Sequence, residues 1–173
     1  MNLAGYCAES ITEGDGMRAV FYISGCRHAC PGCHNVAAQD FAYGRPFTPA
    51  LQDVLIAEVA ANPLLDGITL CGGDPFFSAA ACAEFVRRFR AVCPDRNVWA
   101  YTGYVYETLL KRPDLRELVE LCDVIVDGHY VEAERDLTLK YRGSRNQRII
   151  RRRSGGLAIN FADSPFFLYK VPL

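Results

Sequence analysis

With 173 residues, half of them hydrophobic and 23% charged, the chain has the size and composition of a soluble globular domain that can bury a core without staples. A formal net charge of −1 gives no case for nucleic acid or an anionic membrane surface, and no apolar run approaches a membrane span of about 20 residues. The opening Met1-Asn2-Leu3-Ala4-Gly5 lacks the basic and apolar segments of a secretion signal, so a cytoplasmic location is expected.

The chain reads as strand, loop and helix in repetition. Arg18 to Ser24 is an apolar run of strand composition that enters a cysteine-rich loop. Thr48-Pro49 is a helix start, Thr as N-cap and Pro at the first position. Leu51, Val54, Leu55 and Val59 are expected on its buried face, with an end near Asn62-Pro63. Gly67 to Cys71 reads as a short buried strand running into Gly72-Gly73-Asp74-Pro75. A helix follows from about Ser78, carrying Cys82, Phe85, Val86, Phe89 and Val92 at helical spacing, with Pro94 as its stop. Asn97 to Tyr101 is the third strand and leads into Thr102-Gly103-Tyr104. A short helix near Tyr106 to Leu110 precedes a longer one, for which Asp114 and Glu117 suggest a capping box and Leu115, Leu118, Val119 and Cys122 a buried face. Asp123 to Val126 is the fourth strand, ending in Asp127-Gly128-His129. Arg148-Ile149-Ile150 and Phe166 to Val171 are further candidate strands.

Strands alternating with helices imply right-handed crossovers and an α/β domain with a mostly parallel sheet. In such sheets ligands bind at the carboxyl ends of the strands. Four loops should therefore share one rim: the cysteine loop, Gly72 to Pro75, Tyr101 to Tyr104, and Asp127-Gly128.

The cysteine loop is the strongest chemical signal. Cys26, Cys30 and Cys33 are three thiols within eight residues, spaced Cys-x3-Cys-x2-Cys. Such a loop can turn three sulfurs toward one soft metal centre, zinc or an iron–sulfur cluster, and three ligands leave one position open. A zinc site closed by His34 or His28, or a fourth thiolate from Cys7 or Cys71, stays open from these residues alone. Cys82, Cys93 and Cys122 fall on helix stripes and read as small buried hydrophobes. A disulfide scaffold does not suit a chain of this size and class. The paired glycines at Gly72 and Gly73 let backbone approach a ligand closely.

Cys26-x3-Cys30-x2-Cys33 followed by Gly72-Gly73-Asp74-Pro75 resembles the radical S-adenosylmethionine superfamily. Gly14-Asp15-Gly16-Met17-Arg18, Cys30-Pro31-Gly32-Cys33-His34-Asn35, Tyr101-Thr102-Gly103-Tyr104, Val126-Asp127-Gly128 and Arg142-Gly143-Ser144-Arg145-Asn146-Gln147-Arg148-Ile149 narrow the likeness. Together they are similar to the branch that activates the anaerobic ribonucleoside-triphosphate reductase, a glycyl radical enzyme. The likeness runs over about residues 14–150 of a single domain spanning 1–173.

The resemblance implies an incomplete, open β/α barrel of the radical SAM type. It implies a 4Fe–4S cluster on Cys26, Cys30 and Cys33, and S-adenosylmethionine on the open iron. It further implies reductive cleavage to a 5′-deoxyadenosyl radical that makes the glycyl radical on the reductase. Gly72, Gly73, Asp74 and Pro75 would hold the methionine end, with His34, Tyr101, Asp127 and Asn146 as further cofactor contacts. No side-chain acid or base is required. A flavodoxin or ferredoxin-type protein would supply electrons. Gly32 stands where many superfamily members carry an aromatic residue, Asp74 where Glu is common, and the tail after about residue 154 matches no motif.

Two other functions fit parts of the pattern: a small radical S-adenosylmethionine enzyme acting on a small molecule, and a non-enzymatic zinc or electron-transfer module. Arg87, Arg88 and Arg90 read as the solvated side of a helix. Arg148 with Arg151-Arg152-Arg153 reads either as a strand edge blunted by charge or as a docking patch for an acidic partner.

Overall fold

The computed structural model describes residues 1–152 and 158–160. Its centre is one mixed sheet of eight strands: β1 (Asn2–Ser10), β2 (Arg18–Ile23), β3 (Arg45–Pro46), β4 (Gly67–Gly72), β5 (Asn97–Tyr101), β6 (Val124–Asp127), β7 (Arg148–Arg152) and β8 (Ala158–Asn160). They lie in the order β3-β1-β2-β4-β5-β6-β7-β8. The four in the middle, β2, β4, β5 and β6, run parallel. The flanking strands are antiparallel, β1 and β3 on one side and β7 and β8 on the other. The expected α/β class and its four parallel strands are present. The Arg148 strand is also present, but it runs antiparallel, because a loop and not a crossover helix returns the chain from β6. The candidate strand Phe166 to Val171 lies outside the described residues, as does Arg153.

Helices α1 (Pro49–Ala61), α2 (Ala79–Val92), α3 (Tyr106–Lys111) and α4 (Pro113–Leu121) make the crossovers between the parallel strands. Alternate strand residues face opposite sides. Phe21, Ile23, Ile68, Leu70, Val98, Ala100 and Ile125 point to one face and form the main core with the buried residues of the helices. On the other face Trp99, Val124, Val126 and Ile149 form a smaller cluster with Tyr101 and Tyr141. All four crossover helices contribute to the main core, so the opposite face of the parallel strands is left for loops and the candidate site.

Thr48 caps α1 as expected, its Oγ1 accepting from the Leu51 amide, with Pro49 in the first turn. The buried face is rotated from the expected one: Gln52, Leu55, Ile56 and Val59 face in, while Val54 is 62% exposed. The run from Leu51 to Ile56 offers two apolar faces, and packing selects the one with the i, i+3, i+4, i+7 stripe. Gln52 can be buried because its Nε2 donates to Phe47 O at 3.0 Å. In α2 the stripe of Cys82, Phe85, Val86 and Phe89 is continued by Cys93, which leaves Val92 exposed. The capping box at Asp114 does not form. Pro113 starts α4 earlier, so Asp114 sits inside the first turn and pairs with Arg112. Cys82, Cys93 and Cys122 are buried as expected, and burial pushes the Cys122 thiol up to about 12.

The arginines are largely structural. Arg18 is fully buried against the Trp99 ring; its Nε donates to Thr69 Oγ1 at 2.7 Å and its Nη2 to Ile68 O at 2.6 Å. Burial lowers its pKa to about 10. Arg87 is on the solvated side of α2 as expected, in an exposed pair with Glu117, while Arg88 and Arg90 are partly buried tethers to Asp53 and Asp123. In β7, Arg148 pairs with Asp127 and Glu107, Arg151 with Asp15, and Arg152 donates to Val119 O. That strand is paired on both sides, so it is not a charged edge.

Candidate active site at the carboxyl ends of the parallel strands

β2, β4, β5 and β6 all end at one rim, and the four expected loops meet there. Backbone hydrogen bonds fix the cysteine loop to its neighbours. Gly25 N donates to Ala38 O at 2.8 Å, Cys26 N to Gln39 O at 3.0 Å, and Asp74 N to Gly25 O at 2.9 Å. Gly73 must be glycine, because a Cβ there would lie 2.7 Å from Gly25 O and 2.6 Å from Ala38 O. The first cysteine is thus set by close backbone contact among three turns.

A cavity of about 600 Å³ opens between these loops on the face opposite the helices. Cys26, Cys30, Cys33, His34, Gly72, Gly73, Asp74 and Tyr101 line it. Its floor is formed by Tyr22, Cys71 and Tyr101, which alternate along their strands with residues of the main core. Burial pushes all three of these groups above their ordinary pKa range. Pro75, Asp127 and Asn146 are not among the lining residues. Pro75 is buried and starts a 3₁₀ turn. Asp127 is fully buried, accepting from the Tyr106 amide at 2.7 Å and from Arg148 Nε at 2.9 Å. Asn146 Nδ2 donates to His129 O at 2.7 Å.

The three loop cysteines are half-buried free thiols on the cavity wall. Ala29 and Gly32 take positive φ, 48° and 72°, which bends the loop twice between Cys26 and Cys33. Burial is the main cause that pushes the Cys26 thiol up to about 11. A metal binding there would displace its proton. Among the described residues no three His, Cys, Asp or Glu side chains converge as a ready metal site. The donor chemistry nevertheless fits an iron–sulfur cluster: three soft ligands on one short loop, facing a cavity large enough for a cluster and a small molecule.

Asp74 is the hub of the rim. Its carboxylate is 1% exposed. Oδ2 accepts from His28 Nε2 at 2.8 Å, Thr102 Oγ1 at 2.9 Å and Gly103 N at 2.9 Å; Oδ1 accepts from Phe76 N at 2.9 Å. One carboxylate therefore joins the cysteine loop, its own turn and the loop after β5. His28 is wedged between this carboxylate and the rings of Phe77, Tyr104 and His129. Burial, then the neighbouring His28, lowers the pKa of His129.

Sequence reasoning assigned His28 no role beyond a possible zinc ligand, since a pairing across 46 residues leaves no local signal. It also missed Glu132, which lines the cavity from the loop after β6. A Cβ on Gly32 would lie 2.6 Å from the Glu132 carboxyl carbon, so Glu132 covers the place where a side chain at position 32 would project.

A family model described as a 4Fe-4S single cluster domain matches residues 12–150. The chain is 34% identical over 154 residues to a protein of Pasteurella multocida, covering 87% of this chain and 98% of the relative. It is 37% identical over 150 residues to one of Escherichia coli K12, covering 85% and 96%. It is 33% identical over 141 residues to one of Enterobacteria phage T4, covering 79% and 85%. All three carry the same name. With that name, the iron–sulfur family model and a rim on which the cysteine loop meets three further strand-end loops, the chain belongs to the family of anaerobic ribonucleoside-triphosphate reductase-activating proteins.

Proposed function

We propose that this chain is a single radical S-adenosylmethionine domain, an open and incomplete β/α barrel, that generates the glycyl radical of an anaerobic ribonucleoside-triphosphate reductase in the cytoplasm. One observation supports this most: three thiols of one loop share a cavity with the Gly72-Gly73 turn and Tyr101, on the face of the parallel strands that the helices leave uncovered. The steady order β2-β4-β5-β6 supports a partial barrel, since the strand order does not reverse as it does in doubly wound sheets.

Cys26, Cys30 and Cys33 would hold a 4Fe–4S cluster, with S-adenosylmethionine bound beside it in the same cavity. When bound, the pair supplies a 5′-deoxyadenosyl radical, made with one electron from a flavodoxin or ferredoxin-type donor, that removes a hydrogen atom from a glycine of the reductase. The chain's own residues bind, orient and exclude water. Gly72 and Gly73 present backbone groups to the methionine end, and His34 and Tyr101 flank the ligand. Asp74 acts chiefly by holding the loops, since its four hydrogen bonds are taken within the protein. Asp127 and Asn146 likewise support the rim from outside the cavity.

The test is to reconstitute the chain without oxygen, reduce it, add S-adenosylmethionine and measure products. Methionine and 5′-deoxyadenosine are expected in equal amounts. Neither should form with Cys26→Ala, Cys30→Ala or Cys33→Ala, which should also lose most of their iron. No product from iron-loaded wild type would refute the proposed reaction.

A further inference from the structure

The loop after β6 brings a ring nitrogen to one of the three cysteines. His129 Nδ1 lies 3.5 Å from Cys30 Sγ, within hydrogen-bonding range of sulfur. The ring is held in place from several sides. Its face or edge meets His28 at 4.4 Å between centroids and 82° between planes, and His28 is itself fixed by Asp74. The backbone behind it is clamped. Asn146 Nδ2 donates to His129 O at 2.7 Å, Gln147 Nε2 to Gly128 O at 3.0 Å, and Gly128 N to Tyr104 O at 3.0 Å. The Asn146-Gln147 motif thus acts 17 residues and 19 residues away, on the two residues that carry the ring into place.

We propose that His129 is a positioning residue that donates its Nδ1–H to the sulfur of Cys30 and so raises the reduction potential of the cluster that Cys30 ligates. The inference rests on Cys30 being a cluster ligand. A hydrogen bond withdraws electron density from a thiolate sulfur and favours the reduced cluster, one of the ways a protein sets an iron–sulfur potential. His129 does not touch the reacting atoms in this role. It makes the one-electron reduction easier for the physiological donor.

The experiment is an anaerobic potentiometric titration of the reconstituted full chain, without S-adenosylmethionine, followed by electron spin resonance. His129→Phe keeps a ring without a donor, His129→Ala removes both, and His129→Asn keeps an N–H near the place of Nδ1. Phe and Ala should shift the midpoint to more negative potential, while Asn stays near wild type. A midpoint that stays or rises in Phe and Ala, or iron loss in those two alone with the apo-protein fold intact by circular dichroism, would show that the ring holds the ligand without raising the potential and would overturn the proposal. Equal midpoints in all four proteins at full iron content, or equal shifts in all three variants, would overturn it. Iron content of Cys30→Ala is measured alongside. Wild-type iron in that variant would refute the ligand assignment beneath the inference, separately from the role of His129.

Discussion

Asp74→Ala removes an acceptor shared by four donors: His28 Nε2, Thr102 Oγ1, Gly103 N and Phe76 N. The carboxylate is 1% exposed, so water does not replace it freely. At roughly 1 kcal/mol for each donor left without a partner, the cost is about 4 kcal/mol. Asp74→Asn keeps one oxygen. With that oxygen toward His28, Thr102 and Gly103, the new amide NH2 faces the Phe76 N–H. One hydrogen bond is then lost and two donors oppose each other, for about 1–3 kcal/mol. Urea unfolding of the reduced, iron-free protein measures both. With a slope of about 2 kcal/mol per molar, Asp74→Ala should lower the midpoint by about 2 M and Asp74→Asn by about 0.5–1.5 M. An Asp74→Ala midpoint within a few tenths of a molar of wild type would refute the hub assignment. The reverse order of the two variants would refute the hydrogen-bond reasoning behind it.

Three further outcomes follow from paired charges and buried hydrogen bonds. Arg148→Ala leaves the fully buried Asp127 without its cation and should destabilise by about 3–5 kcal/mol, with Arg148→Lys recovering only part; a loss under about 1 kcal/mol in urea unfolding would contradict the pairing. Arg18→Met removes the donors to Thr69 Oγ1 and Ile68 O while keeping an apolar stem, and should cost about 2–3 kcal/mol, checked the same way against Thr69→Val. Glu107 has its pKa lowered chiefly by the hydrogen bond from Arg148. A folded pKa below the unfolded one gives stability that is present above the ordinary carboxylate range and lost as pH falls through the folded value. Glu107→Gln should therefore narrow its stability gap to wild type as pH falls through that range, and a gap constant with pH would count against it.

The parallel centre of the fold was legible because each strand is a short apolar run closed by Gly, Asp or Cys, and each long crossover carries a helical stripe. The site was legible for the same reason, since four strand ends must share a rim. What stayed hidden depends on partners distant in the chain. β1 is half-exposed and interrupted by Gly5, and only pairing with β2 and β3 makes it a strand. The direction of β7 depends on the loop before it, not on Arg148 to Arg152 themselves. The arginines of α2 and β7 looked like surface charge because their acceptors, such as Asp53 for Arg88 and Asp15 for Arg151, lie far off in sequence. Asp74 was singled out for its motif, yet its engagement with His28, Thr102 and Gly103 is visible only once three loops converge. Glu132 lies in a segment with no motif, and its place over Gly32 comes from the path of the loop after β6.

The proposed function stands on the transfer of a radical to a protein glycine. The chain, loaded with iron and reduced without oxygen, is mixed with S-adenosylmethionine and a candidate anaerobic ribonucleoside-triphosphate reductase of the same organism, and electron spin resonance is recorded. A glycyl doublet is expected on the reductase, absent with Cys30→Ala and absent when the reductase glycine is replaced by alanine. A silent spectrum from iron-loaded protein that still cleaves S-adenosylmethionine would contradict the assigned substrate.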